Sequence, residues 1–163
     1  MSSEPSAERA RRRAAADDAA IVRAIELAAE AGQWGDVPVG AVVMDAEGAP
    51  IASAANEREC SGDPTAHAEV LALRRAAAAL GRWNLEGCTI AVSLEPCPMC
   101  AGAILQARVS RVVFAAWDEK AGAAGSAYDL LRDRRLPQRA EVIGGVREAE
   151  AAAVLRAFFD ERR

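Results

Sequence analysis

The chain of 163 residues holds a single histidine, His67, so any chemistry that needs an imidazole has one place to take it from. No run of residues approaches the roughly 18 to 20 uninterrupted apolar positions of a membrane-spanning helix. Residues 1 to 13 are polar and arginine-rich with no apolar run behind them, so no secretory signal is read there. Also missing are a glycine-rich phosphate cradle, a Gly-x-Ser-x-Gly elbow, an internal repeat and a low-complexity linker. The four cysteines are therefore expected as thiolates before disulfides, and the cytoplasm is the expected compartment. A net charge of −4 argues against a wholesale electrostatic grip on nucleic acid. The basic groups Arg132, Arg134, Arg135, Arg139 and Arg156, Arg162, Arg163 read first as solvated helix faces, although such a patch can hold a few phosphates.

What is present is an ordinary globular composition, 52% apolar and 27% charged, at a length that fits one domain with its own core. Residues 1–16 read as a disordered polar lead, and 17–163 as a single domain. A helix is expected from Asp17 to about Gly32, with Ile21, Ile25 and Ala28 at helical spacing. Strands are expected over Val37 to Met44 and Ile51 to Asn56, joined by the turn Asp45-Ala46-Glu47-Gly48. After the loop Glu57 to Pro64 comes a helix from about Thr65 to Leu80, capped by Asp63 or Thr65, with Val70, Leu73, Ala77 and Leu80 on one stripe. The pattern continues with a strand Cys88 to Leu94, a helix Pro98 to Ala107 and a strand Val109 to Ala116. Then follow a small-residue loop Lys120 to Ser126, a short helix around Tyr128 to Asp133, a strand Glu141 to Ile143 and a last helix Arg147 to Asp160. Five strands alternating with helices predict an α/β fold, a three-layer α/β/α sandwich with a central five-stranded mixed sheet.

Two short strings carry the chemistry, His67-Ala68-Glu69 and Pro96-Cys97-Pro98-Met99-Cys100. Zinc takes nitrogen and thiolate ligands, and its catalytic sites use three of them with a fourth position open. Cys97 and Cys100 are three apart at a helix start and share a face. His67 is the third protein ligand, since no other histidine exists. Two thiolates and a neutral imidazole cancel the charge of Zn²⁺. His67 and Glu69, two apart, do not face each other along a regular helix. They address one ion only if it lies beyond the helix N-terminus, toward which helical side chains lean. A first turn just after Asp63-Pro64-Thr65 achieves this, and two helix N-termini would then converge on the metal.

Blander readings stand beside these. A Cys-x-x-Cys by itself can be a redox pair, but the coupled His-x-Glu favours zinc. Glu69 by itself would be a surface charge; beside a zinc ligand it reads as a proton shuttle. Cys60 and Cys88 read as a loop residue and a small buried hydrophobe, with a closed Cys₃His site as the alternative. Trp34, Trp83 and Trp117 read as packing residues rather than stacking platforms.

His-x-Glu followed by Pro-Cys-x-x-Cys is an established pattern of zinc nucleobase deaminases, so the match is to a described motif. The segments Asp36 to Val42, Asp63 to Glu69, Leu94 to Ala103 and Arg111 to Ser126 extend the likeness. Over roughly residues 20 to 162 the chain resembles the bacterial tRNA-specific adenosine deaminase family of the cytidine/deoxycytidylate deaminase superfamily. Its most discriminating segment is Asp118-x-Lys120-x-Gly122-Ala123-Ala124-Gly125-Ser126. The resemblance implies a cytidine deaminase-like fold and a homodimer with one Zn²⁺ per subunit and no organic cofactor. It also implies deamination of adenosine to inosine at wobble position 34 of tRNA-Arg(ACG), with the anticodon stem-loop as partner and no membrane. It assigns zinc to His67, Cys97 and Cys100, and proton transfer to Glu69. Contact with the flipped nucleotide falls to Asn56, the base pocket to Val39 and Leu94, and the neighbouring nucleotide to Asp118. Flanking anticodon contacts fall to the closing helix with Phe158, Phe159 and Arg162. The sequence departs from the family pattern with Ala115 where glycine is frequent, with Glu57 where arginine is, and in lacking a basic tail after Arg163. Two rival readings remain: a free-base or nucleotide deaminase, and a non-catalytic RNA-binding protein with a structural zinc.

Overall fold

The computed structural model describes residues 4–163. Five strands form one sheet in the order β2-β1-β3-β4-β5, with β1 Gly40–Met44, β2 Pro50–Ala55, β3 Thr89–Leu94, β4 Arg111–Ala116 and β5 Glu141–Ile143. β1 runs antiparallel to both β2 and β3, whereas β3, β4 and β5 are parallel, so the sheet is mixed as expected. β1 and β4 are buried along their whole length, as apolar runs covered on both faces should be.

The period-2 alternation of the strands splits the core into two layers. Val42, Ala91, Val113 and Ala115 face one side with Ile21, Ala24 and Leu27 of helix α1, Ser6–Gln33, and Ala151 of α5, Glu148–Asp160. Val43, Ile90, Val92, Val112 and Phe114 face the other with Leu73 of α3, Ala68–Leu80, and Ile104 of α4, Pro98–Gln106. A short helix α2, Arg58–Ser61, lies between β2 and α3. The result is the predicted three-layer sandwich. Among the described residues no helix is long and apolar enough to cross a membrane.

Four expectations need correcting. The lead over residues 1–16 falls partly on residues 1–3, outside the described residues. The rest of it, from Ser6, is helical and continuous with α1. Alanines and arginines there are strong helix formers, and adding turns to a helix already anchored by packing costs little. Helix α3 begins at Ala68 rather than Thr65, because Asp63 Oδ1 accepts the Thr65 N–H and hydroxyl, both at 2.8 Å, and holds 63–65 as a turn. Asp63 therefore shapes the approach to the helix without capping it. The buried stripe of α3 is Ala68, Ala72, Leu73 and Ala76, and Leu80 is exposed. Finally, Tyr128 to Asp133 forms turns and an Ala124–Asp129 bridge, not a helix. Its backbone bonds run back to the preceding loop, Tyr128 N–H to Gly122 and Leu130 N–H to Ala123.

A buried ion pair ties the layers together. Arg111 at the start of β4 donates to both oxygens of Asp17 on α1, at 2.8 and 2.7 Å. Its Nε is 3.2 Å from Glu141 of β5.

Candidate metal centre and reaction cavity

The site lies at the carboxyl ends of the parallel strands β3 and β4, where open α/β sheets commonly place ligands. β3 ends at Leu94, and the chain turns through Glu95-Pro96 into α4. Cys97 is the N-cap of α4, with Pro98 preset for the first helical position, and Cys100 follows one turn on. His67 is the N-cap of α3 in extended conformation, and Glu69 sits in that helix's first turn. The two N-termini thus meet, as the spacing argument required, with His67 just outside its helix rather than within it.

His67 Nδ1 is 3.4 Å from Cys100 Sγ and 3.7 Å from Cys97 Sγ. Tetrahedral zinc with Zn–S and Zn–N bonds of typical length places ligand nitrogen and sulfur about 3.5 Å apart. One nitrogen and two sulfurs at that spacing fit the ion. Among the described residues these three are the one group of this kind, and Cys60 and Cys88 stand apart from it. The set is the open three-ligand type rather than Cys₃His.

The electrostatics suit a thiolate at Cys97 and proton transfer at Glu69. The neighbouring Cys100 thiol draws the Cys97 pKa down to about 4, with His67 assisting against burial. Cys100 goes the other way, raised by its hydrogen bond to Cys97 and by burial. His67 is raised by its bond to Cys97, which outweighs desolvation. Burial pushes the Glu69 carboxyl up, the direction that makes a carboxylate a better proton acceptor near neutrality.

One cavity brings together Val39, Asn56, His67, Glu69, Leu94, Cys97 and Asp118. Cys100 lies behind it, fully buried. Asn56 is aimed by its own bonds: its side-chain N–H donates to Val37 O at 3.1 Å and its Oδ1 accepts the Arg58 N–H at 3.2 Å. The loop beyond is held by buried Asp36, which accepts the Glu59 and Cys60 amides at 2.7 and 3.1 Å.

An open groove continues from the cavity through Val37, Leu94 and Asp118 to Trp117, Lys120, Leu155 and Phe159. Trp117 packs edge-on to Phe114 at 4.7 Å yet stays exposed along this groove, so it is both a packing residue and groove wall. Trp34 donates to Asn56 O at 3.0 Å, and Trp83 lies under Arg108. Arg162 is not brought to the cavity: its guanidinium stacks on Phe158 at 3.5 Å and donates to Phe158 O.

Sequence reasoning missed Glu95, Val37, Arg58 and Ala121, which also line the cavity. Glu95 is buried and carries opposed influences: desolvation raises its pKa, while the Ser126 hydroxyl and the backbone amides of 118, 126 and 124 together hold it lower. Its place directly before Pro96-Cys97 was the available signal.

Comparison with known proteins places these observations. Residues 15–116 match the family described as the cytidine and deoxycytidylate deaminase zinc-binding region. The chain is 47% identical over 147 residues to a tRNA-specific adenosine deaminase of Bacillus subtilis, covering 90% of this chain and 91% of that one. A solved structure from work on A-to-I editing by tRNA:A34 deaminases at the wobble position superposes with a TM-score of 0.80 at 38% identity, covering 83% of this chain and 98% of that one. A guanine deaminase structure from Bacillus subtilis superposes with a TM-score of 0.61 at 37% identity, covering 88% and 93%.

Proposed function

The chain belongs to the cytidine and deoxycytidylate deaminase family, and from that premise we propose that it hydrolytically deaminates adenosine to inosine at wobble position 34 of tRNA-Arg(ACG). It is a zinc-dependent deaminase, breaking a C–N bond of a cyclic amidine; the substrate is the further step. The observation that carries the substrate is the groove leading from the cavity past Asp118 to Phe159. A free base would fill the cavity and leave that groove empty, whereas a nucleotide turned out of an anticodon loop has flanking nucleotides to lay along it. The long match to a tRNA-specific relative supports the same choice.

His67, Cys97 and Cys100 would hold zinc, which when bound would supply the pull that brings the pKa of water down to about 7. Glu69 takes a proton from the attacking water and hands it to N1 of adenine, making C6 electrophilic. After water oxygen has added to C6, Glu69 carries the second proton to the amino nitrogen, which leaves as ammonia. Val39 and Leu94 confine the base, Asn56 orients the flipped nucleotide, and Asp118 meets its neighbour. Phe159 stacks against the flanking anticodon. Arg162 reaches RNA only by leaving Phe158. Turning the nucleotide out costs a few kcal/mol, less in an unpaired loop. We place the enzyme in the cytoplasm as a homodimer, where its tRNA substrate is met.

The guanine deaminase likeness makes free-base deamination the second reading. Incubation of the protein with an arginine tRNA transcript and, separately, with guanine decides between them. Inosine at position 34 with no ammonia from guanine supports the tRNA reading; ammonia from guanine with unmodified tRNA refutes it.

A further inference from the structure

Glu95 is 2% exposed, and among the described residues no cation forms an ion pair with it. A buried carboxylate without a counter-charge is costly unless its oxygens are met by donors. Here four donors meet them, all from the loop Asp118 to Ser126. Oε1 accepts the Asp118 N–H at 3.0 Å and the Ser126 hydroxyl; Oε2 accepts the Ala124 N–H at 2.9 Å and the Ser126 N–H at 3.0 Å. Those bonds occupy the acceptor capacity of the group, roughly four lone-pair sites, which leaves it none with which to take a proton from substrate. The same short segment is tied on either side, Glu95 N–H to Ala116 O at 2.8 Å and Ala123 N–H to Pro96 O at 2.7 Å. The approach is so close that a Cβ at Gly122 would stand 2.3 Å from the Glu95 carboxyl and 2.5 Å from the Asp118 carbonyl oxygen. Asp118 in turn accepts the Lys120 and Ala121 amides, so its backbone is held by Glu95 and its carboxylate by its own turn.

We propose that Glu95 is a positioning residue that locks the Asp118–Ser126 loop to the start of the zinc-binding helix and thereby sets the grip on the nucleotide beside the reacting one. This rests on the tRNA reading above. Cys97 lies two residues from Glu95, so one short stretch of chain fixes both the metal ligands and the wall that meets the flanking nucleotide. The Glu95→Gln variant turns one acceptor oxygen into a donor facing N–H groups, and Ser126→Ala removes the hydroxyl contact alone.

The test is steady-state kinetics of the zinc-loaded full chain on an anticodon stem-loop bearing a wobble adenosine, with zinc content and loop amide exchange measured in parallel. In Glu95→Gln, KM rises about tenfold or more, kcat at saturation stays within about threefold of the parent, and one zinc per chain remains. The amides of Asp118, Ala124 and Ser126 exchange faster. Ser126→Ala shifts KM in the same direction by less, and decides the matter if Glu95→Gln does not fold. Unchanged KM and unchanged exchange overturn the proposal. So does a fall in kcat at constant KM, which would put Glu95 in the chemistry, and so does loss of zinc. If the parent chain makes no inosine, the functional reading fails, and the amide exchange alone decides whether Glu95 holds the loop.

Discussion

Replacing Gly40 with alanine drives a methyl group into helix α1, and the structure says by how much. The new Cβ would lie 2.1 Å from the Ala24 carbonyl oxygen, 2.7 Å from Leu27 Cβ and 2.9 Å from the Ala28 nitrogen. Two of those atoms are main chain, so no rotamer change relieves the contact. Ordinary non-bonded separations are about 3.5 Å or more, so α1 and β1 must part by roughly 1 Å. That gap opens under Ile21, Ala24 and Leu27, the α1 face of the core. It also strains the Gly40 N–H bond to Ser93 Oγ at 3.0 Å and the pairing of Gly40 with Ala55. Overpacking costs typically about 1 to 3 kcal/mol, and a backbone clash belongs at the upper end. At about 2 to 4 °C per kcal/mol for a chain of this size, Tm should fall by about 6 to 12 °C. Gly102→Ala is the control: an added Cβ there meets nothing within 4 Å, and alanine within helix α4 should stabilise by about 0.5 to 1 kcal/mol. Thermal unfolding of the zinc-loaded proteins, followed by circular dichroism, reads both. A Gly40→Ala protein melting within about 2 °C of the parent would refute the close packing of α1 on β1.

Three further outcomes follow from the site and the core. Glu69→Gln keeps the shape of the side chain but cannot shuttle protons; zinc content should stay at one per chain while kcat falls by about 10² to 10⁴-fold, measured by inosine formation and metal analysis. Cys97→Ala should lose zinc and melt at lower temperature, because metal binding and folding are linked; full zinc retention would exclude it as a ligand. Asp17→Asn strips the charge from a buried pair with Arg111, which keeps Glu141 as a partner, and should cost about 1.5 to 3 kcal/mol in urea unfolding, whereas Asp18→Asn, in an exposed pair with Arg147, should cost no more than about 1 kcal/mol.

The valine-rich strands and the small-residue turn at Asp45 to Gly48 were legible because apolar runs and turn residues act locally. β5 matches its expected range of Glu141 to Ile143. The convergence of His67 and Cys97 was legible because helix geometry leaves a single place where residues two apart address one ion. What stayed hidden depends on long-range bonds. Helix α1 extends back to Ser6 through residues 6–15 that are exposed, so no apolar periodicity marks them. The segment Tyr128 to Asp133 looks helical in isolation, but its backbone groups are taken by the loop that Glu95 organises. Glu95 itself reads as an unremarkable acid until the fold surrounds it with four donors. Phe159 lies in the groove wall, whereas Arg162 folds back on Phe158, a choice settled by stacking that no spacing rule reveals.

The proposed reaction uses Glu69 and a three-ligand zinc site to deaminate a flipped wobble adenosine in the cavity. Its most direct measurement is sequencing-based detection of inosine at position 34 after incubating tRNA-Arg(ACG) transcript with the zinc-loaded protein and with Glu69→Gln. Conversion by the parent and its loss in the variant, with zinc retained in both, is the predicted result. No inosine from the parent, or equal conversion by the two, would rule this reaction out.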